Sequence, residues 1–195
     1  MYNGSTGRRT GPDLSPVLMS IGNIMQSNKV KVVTGKVRFS YANVFQPKAG
    51  MNGGEPKYSV SILIPKSDTE GVAKLKKAFE DCKSTNAAFF GGSVPKGLKG
   101  GLRDGDEERD DAAYAGHYFV NANSAQKPQI VDANREELFD QSEFYSGCYG
   151  RASVTFYPYN AAGSKGIACG LNNLQKLDDG DKLGGGSSAA DDFAV

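Results

Sequence analysis

The chain has 195 residues, a formal net charge of +1, 25 glycines and no tryptophan. That length suits one domain with loose ends and a sizeable core, and no run approaches the ~20 apolar residues needed to span a bilayer. Three cysteines without CxxC spacing and a single histidine exclude a disulfide framework and a zinc-finger pattern.

Residues 1–28 are rich in Gly, Ser, Asn and Pro and read as a flexible arm. Within them Pro16-Val17-Leu18-Met19-Ser20-Ile21 is too short for a signal-peptide core, and Arg8-Arg9 lacks the hydrophobic follow-up of a twin-arginine signal. A cytoplasmic protein is expected. From Lys29 the pattern turns to β. Val30, Val32 and Val33 lead to Lys36-Val37-Arg38-Phe39-Ser40-Tyr41, where Val37, Phe39 and Tyr41 share one face and Lys36, Arg38 and Ser40 the other. Asn52-Gly53-Gly54 marks a turn. The next strand starts at Lys57, with Tyr58, Val60, Ile62 and Ile64 inward, and stops at Pro65.

One helix follows. Ser67 and Glu70 form an S-x-x-E capping box, Val72, Leu75, Phe79 and Cys82 share a face, and the end falls near 83–86. The glycine-lysine stretch 91–103 matches no nucleotide fingerprint. It reads as a basic loop for a phosphate backbone or as an idle insertion. Strands are then expected at 116–122, 129–131, 147–157 and about 166–171, with His117 as a strand residue and all three cysteines as reduced packing residues. The fold class is therefore mainly β: five to six strands, one helix after the second, and in-strand glycines at Gly35 and Gly150. An OB-fold-like barrel is the economical arrangement, with a β-sandwich as the alternative.

The charge is segregated. From 178 onward there are five Asp against one Lys, whereas residues 1–177 hold 22 Lys+Arg against 17 Asp+Glu, a net of +5. A basic body with an acidic tail fits a polyanionic ligand, although a solvated surface with a solubility tail reads the same way. The tail, 178–195, carries a Gly-Ser spacer and ends on Asp191-Asp192-Phe193-Ala194-Val195.

The long strand offers the clearest chemistry. Cys148, Gly150, Ala152, Val154 and Phe156 suit a core, while Tyr149, Arg151, Ser153, Thr155 and Tyr157 face the other way, with Tyr159 beyond Pro158. Alternating rings and cations suit single-stranded nucleic acid, because bases stack at ~1–3 kcal/mol each and cations hold phosphates. The plainer account is a tyrosine-covered sheet flank with Arg151 paired to a carboxylate.

The blocks 57–66, 102–106, 116–122, 144–151 and 166–176, in that order, resemble those of a bacteriophage family of OB-fold single-stranded-DNA-binding proteins, once filed as an uncharacterised domain. The resemblance covers about residues 30–180. It implies a barrel, here 29–177, that binds single strands regardless of sequence in phage DNA replication, recombination or repair. It also implies a tail that competes with DNA and recruits replication or recombination proteins. In the better-known bacterial tail the aromatic is terminal; here Phe193 is followed by two residues.

On this reading Tyr149, Tyr157 and Tyr159 stack bases, with Tyr41 and Tyr118 as further platforms. Lys36, Arg38, Lys57, Arg103 and Arg151 contact phosphates, and Asp191, Asp192 and Phe193 engage partners. No catalysis, cofactor, metal or membrane is required, and a homodimer stays open. Two alternatives stand beside it. The carboxylates between Asp104 and Asp111 would serve a metal-dependent nuclease, though such a consecutive run is more usually a solvated loop. A non-enzymatic phage structural protein is the other.

Overall fold

The structure, a computed structural model, describes residues 27–50, 53–161 and 163–184. Its strands are β1 (Val30–Val33), β2 (Val37–Lys48), β3 (Lys57–Pro65), β4 (Arg103–Asp104), β5 (His117–Ser124), β6 (Gln129–Val131), β7 (Tyr149–Ala161) and β8 (Ser164–Asp178). Two α-helices lie between them, α1 (Thr69–Thr85) and the single turn α2 (Gly105–Glu108).

Five strands close into a ring in the order β7-β2-β3-β5-β8, and β8 returns to β7. All pairs are antiparallel except β5 with β8. This is the OB-like barrel expected from the sequence, with one main helix after the second barrel strand; β1, β4 and β6 are short additions to its edges. The short strand 129–131 does not return against β5. It lies parallel to β8 at Asn173–Gln175.

Alternation builds the core. Val60, Ile62 and Ile64 of β3 meet Ala122 and Val120 of β5 and the Cys148-to-Phe156 row of β7, all buried. Phe39 and Phe144 pack with centroids 4.9 Å apart. Gly150 lies where β7 crosses this core so closely that a Cβ would sit 1.9 Å from the Gln175 carbonyl oxygen and 2.9 Å from the Phe39 ring. Helix α1 buries Val72, Leu75, Ala78 and Cys82, and Phe79 meets Phe156 edge-on at 6.0 Å. Its cap is Asp68 rather than Ser67: the Asp68 carboxylate accepts from the Gly71 amide at 2.9 Å, in place of the expected capping box between Ser67 and Glu70. The three cysteines are buried and unbridged, and burial pushes the thiols of Cys82 and Cys169 up to about 11 and about 12.

Two departures shape the surface. Tyr41 does not share the inward face of Val37 and Phe39. Between the pairs Ser40–Ser61 and Asn43–Ser59, β2 carries one extra residue, Tyr41 takes φ 47°, and the residue is 60% exposed. The second concerns the seam between β5 and β8, which pair only at Asn123 and Gly170. Where the strands diverge, the strip 99–104 fills the gap. Lys99 bridges to β8 through Ile167 N, which donates to Lys99 O at 2.9 Å, while Arg103 and Asp104 pair with Phe119 and Tyr118 of β5.

Candidate nucleic-acid interface

The outward rows of β2, β3 and β5, together with the adjoining ends of β7 and β8, form one track. Its first cleft is lined by Ser40, Tyr41, Asn43 and Lys48, with Asp111 and Ala113 on one wall and Leu183 and Gly184 on another. The second shares Asn43 and Lys48 and adds Lys57, Ser59 and Asn123. The third, about 470 Å³, shares Asn123 and continues through Asn121 and Arg103 to Lys99 and Tyr159. The shared residues make the three clefts continuous. Cations stand along the track, serines and asparagines form its floor, and Tyr41 and Tyr159 mark its two ends.

This track brings together four of the residues anticipated from sequence: Tyr41, Lys57, Arg103 and Tyr159. It adds Lys48, Lys99, Asn43, Asn121 and Asn123. Of the three asparagines, Asn121 and Asn123 were legible as the outward alternates of Val120 and Ala122 on β5.

The remaining anticipated residues lie elsewhere. Lys36 and Arg38 crowd the Tyr149 ring, 5.5 and 5.4 Å from its centroid, and all three serve the root of the tail. Lys36 pairs with Asp178 at 2.5 Å. The Arg38 guanidinium donates to Gly147 O at 3.2 Å and Asp181 O at 2.9 Å. Alongside, Tyr145 Oη donates to the Asp179 carboxylate at 2.9 Å, and the Leu183 amide donates to Ser146 O at 2.8 Å. Lys176 and Tyr145 hold the Asp179 carboxyl below the usual carboxylate range, and burial raises the Tyr145 phenol. Gly147, at φ 119°, permits this contact, since a Cβ there would lie 2.0 Å from Asp181 O. The first residues of the acidic segment therefore run fixed against the body as far as Leu183. Asp191, Asp192 and Phe193 lie outside the described residues.

Tyr118 occupies the inward row of β5 at the helix end of the barrel, covered by Lys66 and Lys76 at 5.0 and 4.5 Å. Tyr157 is half-buried on the outer face of β7, its ring against Gly170. Arg151 is exposed on that face, beside Ser153, and donates to Thr34 O at 3.2 Å.

The acidic run has a scaffolding arrangement. Lys66 Nζ reaches Asp104 and Asp106 at 2.6 and 2.7 Å, and Asp106 also accepts from the Gly116 amide at 2.8 Å. These contacts hold the Asp106 carboxyl low and raise Lys66. Glu108 pairs with Arg103, and Asp111 caps the Ala113 amide. Among the described residues, no group of three or more His, Cys, Asp or Glu is arranged to hold a metal ion. The loop instead lays Tyr114 over the outside of the sheet, edge-on to Phe119 at 5.1 Å, packed with Leu63 and bonded to Ser61 Oγ at 2.9 Å. No helix of the described residues is long and apolar enough to cross a membrane.

The family model described as Enterobacter phage Enc34, ssDNA-binding protein, matches residues 30–195. Putative protein p50 of Acyrthosiphon pisum secondary endosymbiont phage 1 is 30% identical over 172 residues, which cover 84% of this chain and 92% of the relative. The single-stranded DNA-binding protein from bacteriophage Enc34, solved in complex with ssDNA, superposes with a TM-score of 0.67 at 25% identity, covering 79% of this chain and 89% of that one. A likeness of fold alone extends to gp2.5, a single-stranded DNA binding protein encoded by bacteriophage T7, with a TM-score of 0.57 at 15% identity over 85% of this chain and 95% of that one. With its barrel residues inside the matched span, the chain belongs to the family of the Enterobacter phage Enc34 ssDNA-binding protein.

Proposed function

We propose that this protein binds single-stranded DNA without regard to sequence, along the track that runs from Tyr41 to Tyr159, and that it acts without catalysis or cofactor. The observation that carries the reading is the composition of that track: Lys48, Lys57, Lys99 and Arg103 beside exposed or half-exposed tyrosines, on a floor of short polar side chains. Cations meet phosphates, rings stack bases of any identity, and a floor of serine and asparagine admits purines and pyrimidines alike. Lys36, Arg38 and Tyr149 hold the tail root instead. The family supports a role in phage DNA replication, recombination or repair in the cytoplasm of the infected host cell.

The tail fits a regulatory part in this reading. Leu183 and Gly184 already form a wall of the Tyr41 cleft, so the last described residues stand beside the track. Asp191 and Asp192 then compete with phosphates for its cations, and Asp191, Asp192 and Phe193 recruit replication or recombination proteins once DNA displaces them.

Fluorescence anisotropy of labelled oligo-dT against a duplex of equal length, across a salt series, tests the reading. Preference for the single strand is expected. Four phosphate contacts predict a slope of log K against log salt near about −3, at ~0.7 per contact. No single-strand binding at low salt overturns it. Sedimentation of the same samples reports whether a homodimer forms.

A further inference from the structure

A second basic pocket lies on the outer face of β7 and β8. It encloses about 260 Å³ between Arg135, Arg151, Asn173 and Gln175, with Val33 of β1 and Val131 of β6 as apolar walls. None of these residues lines the track described above.

The way Arg135 is held is the informative feature. Residues 132–137 form a tight loop after β6. Asp132 folds its carboxylate into that loop and accepts from the Glu136 amide at 2.8 Å, while the Arg135 amide donates to Asp132 O at 3.1 Å. Gln175 clamps the loop to β8 by donating to Asp132 O at 3.2 Å. Arg135 sits at its tip with φ 73°, a left-handed conformation that glycine or asparagine adopts at far lower cost. A long cationic side chain kept at such a site by a well-bonded loop points to use of the side chain itself.

The partners of the two arginines point the same way. Among the described residues neither guanidinium has a carboxylate within ion-pair distance. Arg151 uses one nitrogen on Thr34 O and keeps its remaining donors. Two arginines facing one pocket match the oxygens of a phosphate, which guanidinium forks bind in bidentate fashion. The valine walls and the amide of Asn173 suit the flat face and polar edge of a base.

We propose that this pocket is a second nucleotide subsite, which takes one nucleotide of a single DNA strand with its phosphate between Arg135 and Arg151. The proposal rests on the single-strand reading above and extends it: the strand is held at two separate places on the barrel, so its footprint is longer than the track.

The substitution R135G tests this cleanly, because it removes the guanidinium and relaxes the backbone together. R151Q and the double variant complete the set, each measured for long oligo-dT affinity over a salt series beside the unaltered full chain. The expected result is a salt slope shallower by about 0.7 in the double variant, which loses the one phosphate contact, and by an intermediate amount in each single variant, with affinity down about tenfold in the double and the thermal midpoint of R135G unchanged or raised. Should R151Q fail to fold, R135G alone decides. Unchanged slope and affinity in R135G, in a full chain that does bind oligo-dT, overturn the proposal. Absence of binding by the full chain fells the single-strand reading instead. The same variants are made in a full chain carrying D191N and D192N. If the effect of R135G vanishes there, the pocket serves the tail and the proposal fails; if it persists, DNA is the occupant.

Discussion

The guanidinium of Arg38 donates to the main-chain carbonyl of Asp181 at 2.9 Å, and so ties β2, the first strand of the barrel, to the chain that leaves its last. The bond goes to backbone, so it fixes the path of the tail root whatever side chain stands at 181. Its neighbours reinforce it: Gly147 O takes the second donor of Arg38, and the Leu183 amide closes on Ser146 O.

Arg38→Ala is therefore expected to free the root while leaving the track intact. Hydrogen exchange at the Leu183 amide should accelerate by at least about tenfold, because a main-chain bond that opens locally loses its protection. In a D191N/D192N background, oligo-dT affinity should change less than about twofold. A large affinity loss there would return Arg38 to the phosphate contacts.

Tyr41→Gly separates the ring from its backbone. Glycine relieves the left-handed φ of 47°, worth roughly 1 kcal/mol against its own entropic cost, so thermal stability should hold or rise. Loss of the ring should weaken single-strand binding by about 1–3 kcal/mol if a base stacks there. Calorimetry and anisotropy on one preparation read both effects; a stable variant with undiminished affinity removes Tyr41 from the track.

Asp106 ties its loop to Lys66 and to the Gly116 amide. Its folded pKa is depressed, so its stabilising contribution is present above the unfolded carboxylate value of about 4 and is lost as pH falls through the lower folded value. Limited proteolysis within residues 107–111 should increase below about pH 4. In D106N the same cleavage should appear at neutral pH. Added magnesium should produce no strand cleavage by either protein; metal-dependent cleavage abolished by D106N would revive the nuclease reading.

Gly150→Ala places a methyl 1.9 Å from Gln175 O. The β7–β8 register must shift to admit it, at about 1–3 kcal/mol. The thermal midpoint should fall by several degrees; an unaltered midpoint would mean that the crossing is looser than described.

Much of this fold was legible because alternation survives wherever one face is buried. The inward rows Val60-Ile62-Ile64 and Cys148 to Phe156, and the apolar stripe of α1, follow the expected pattern. The failures have a common cause. Tyr41 continued the inward row on paper, and only the pairing with β3 reveals the extra residue that throws it outward. The parallel contact of β5 with β8, and the insertion of 99–104 beside it, depend on ring closure over long sequence separations. No local period encodes that closure. It also decided which polar residues share a track: Lys57, Asn123 and Arg103 converge through strand order, whereas Tyr149 and Arg151, adjacent on one row, serve the tail root and a separate pocket. Leu63 and Phe119 did carry a signal, since both are apolar on otherwise polar outward rows and mark the patch that Tyr114 covers.

The seam between β5 and β8 gives the barrel a preferred place to breathe. Its two walls meet at a single residue pair, and the strip 99–104 stitches the remainder. The third cleft of the track straddles those stitches, with Arg103 and Asn121 on one side and Tyr159 and Ala168 on the other. A polynucleotide lying there acts as a splint. Occupancy and ring integrity then become a single linked equilibrium: filling the track raises global stability by mass action, and its largest effect falls on the amides of 99–104, which report loading from within the protein without any label on the DNA.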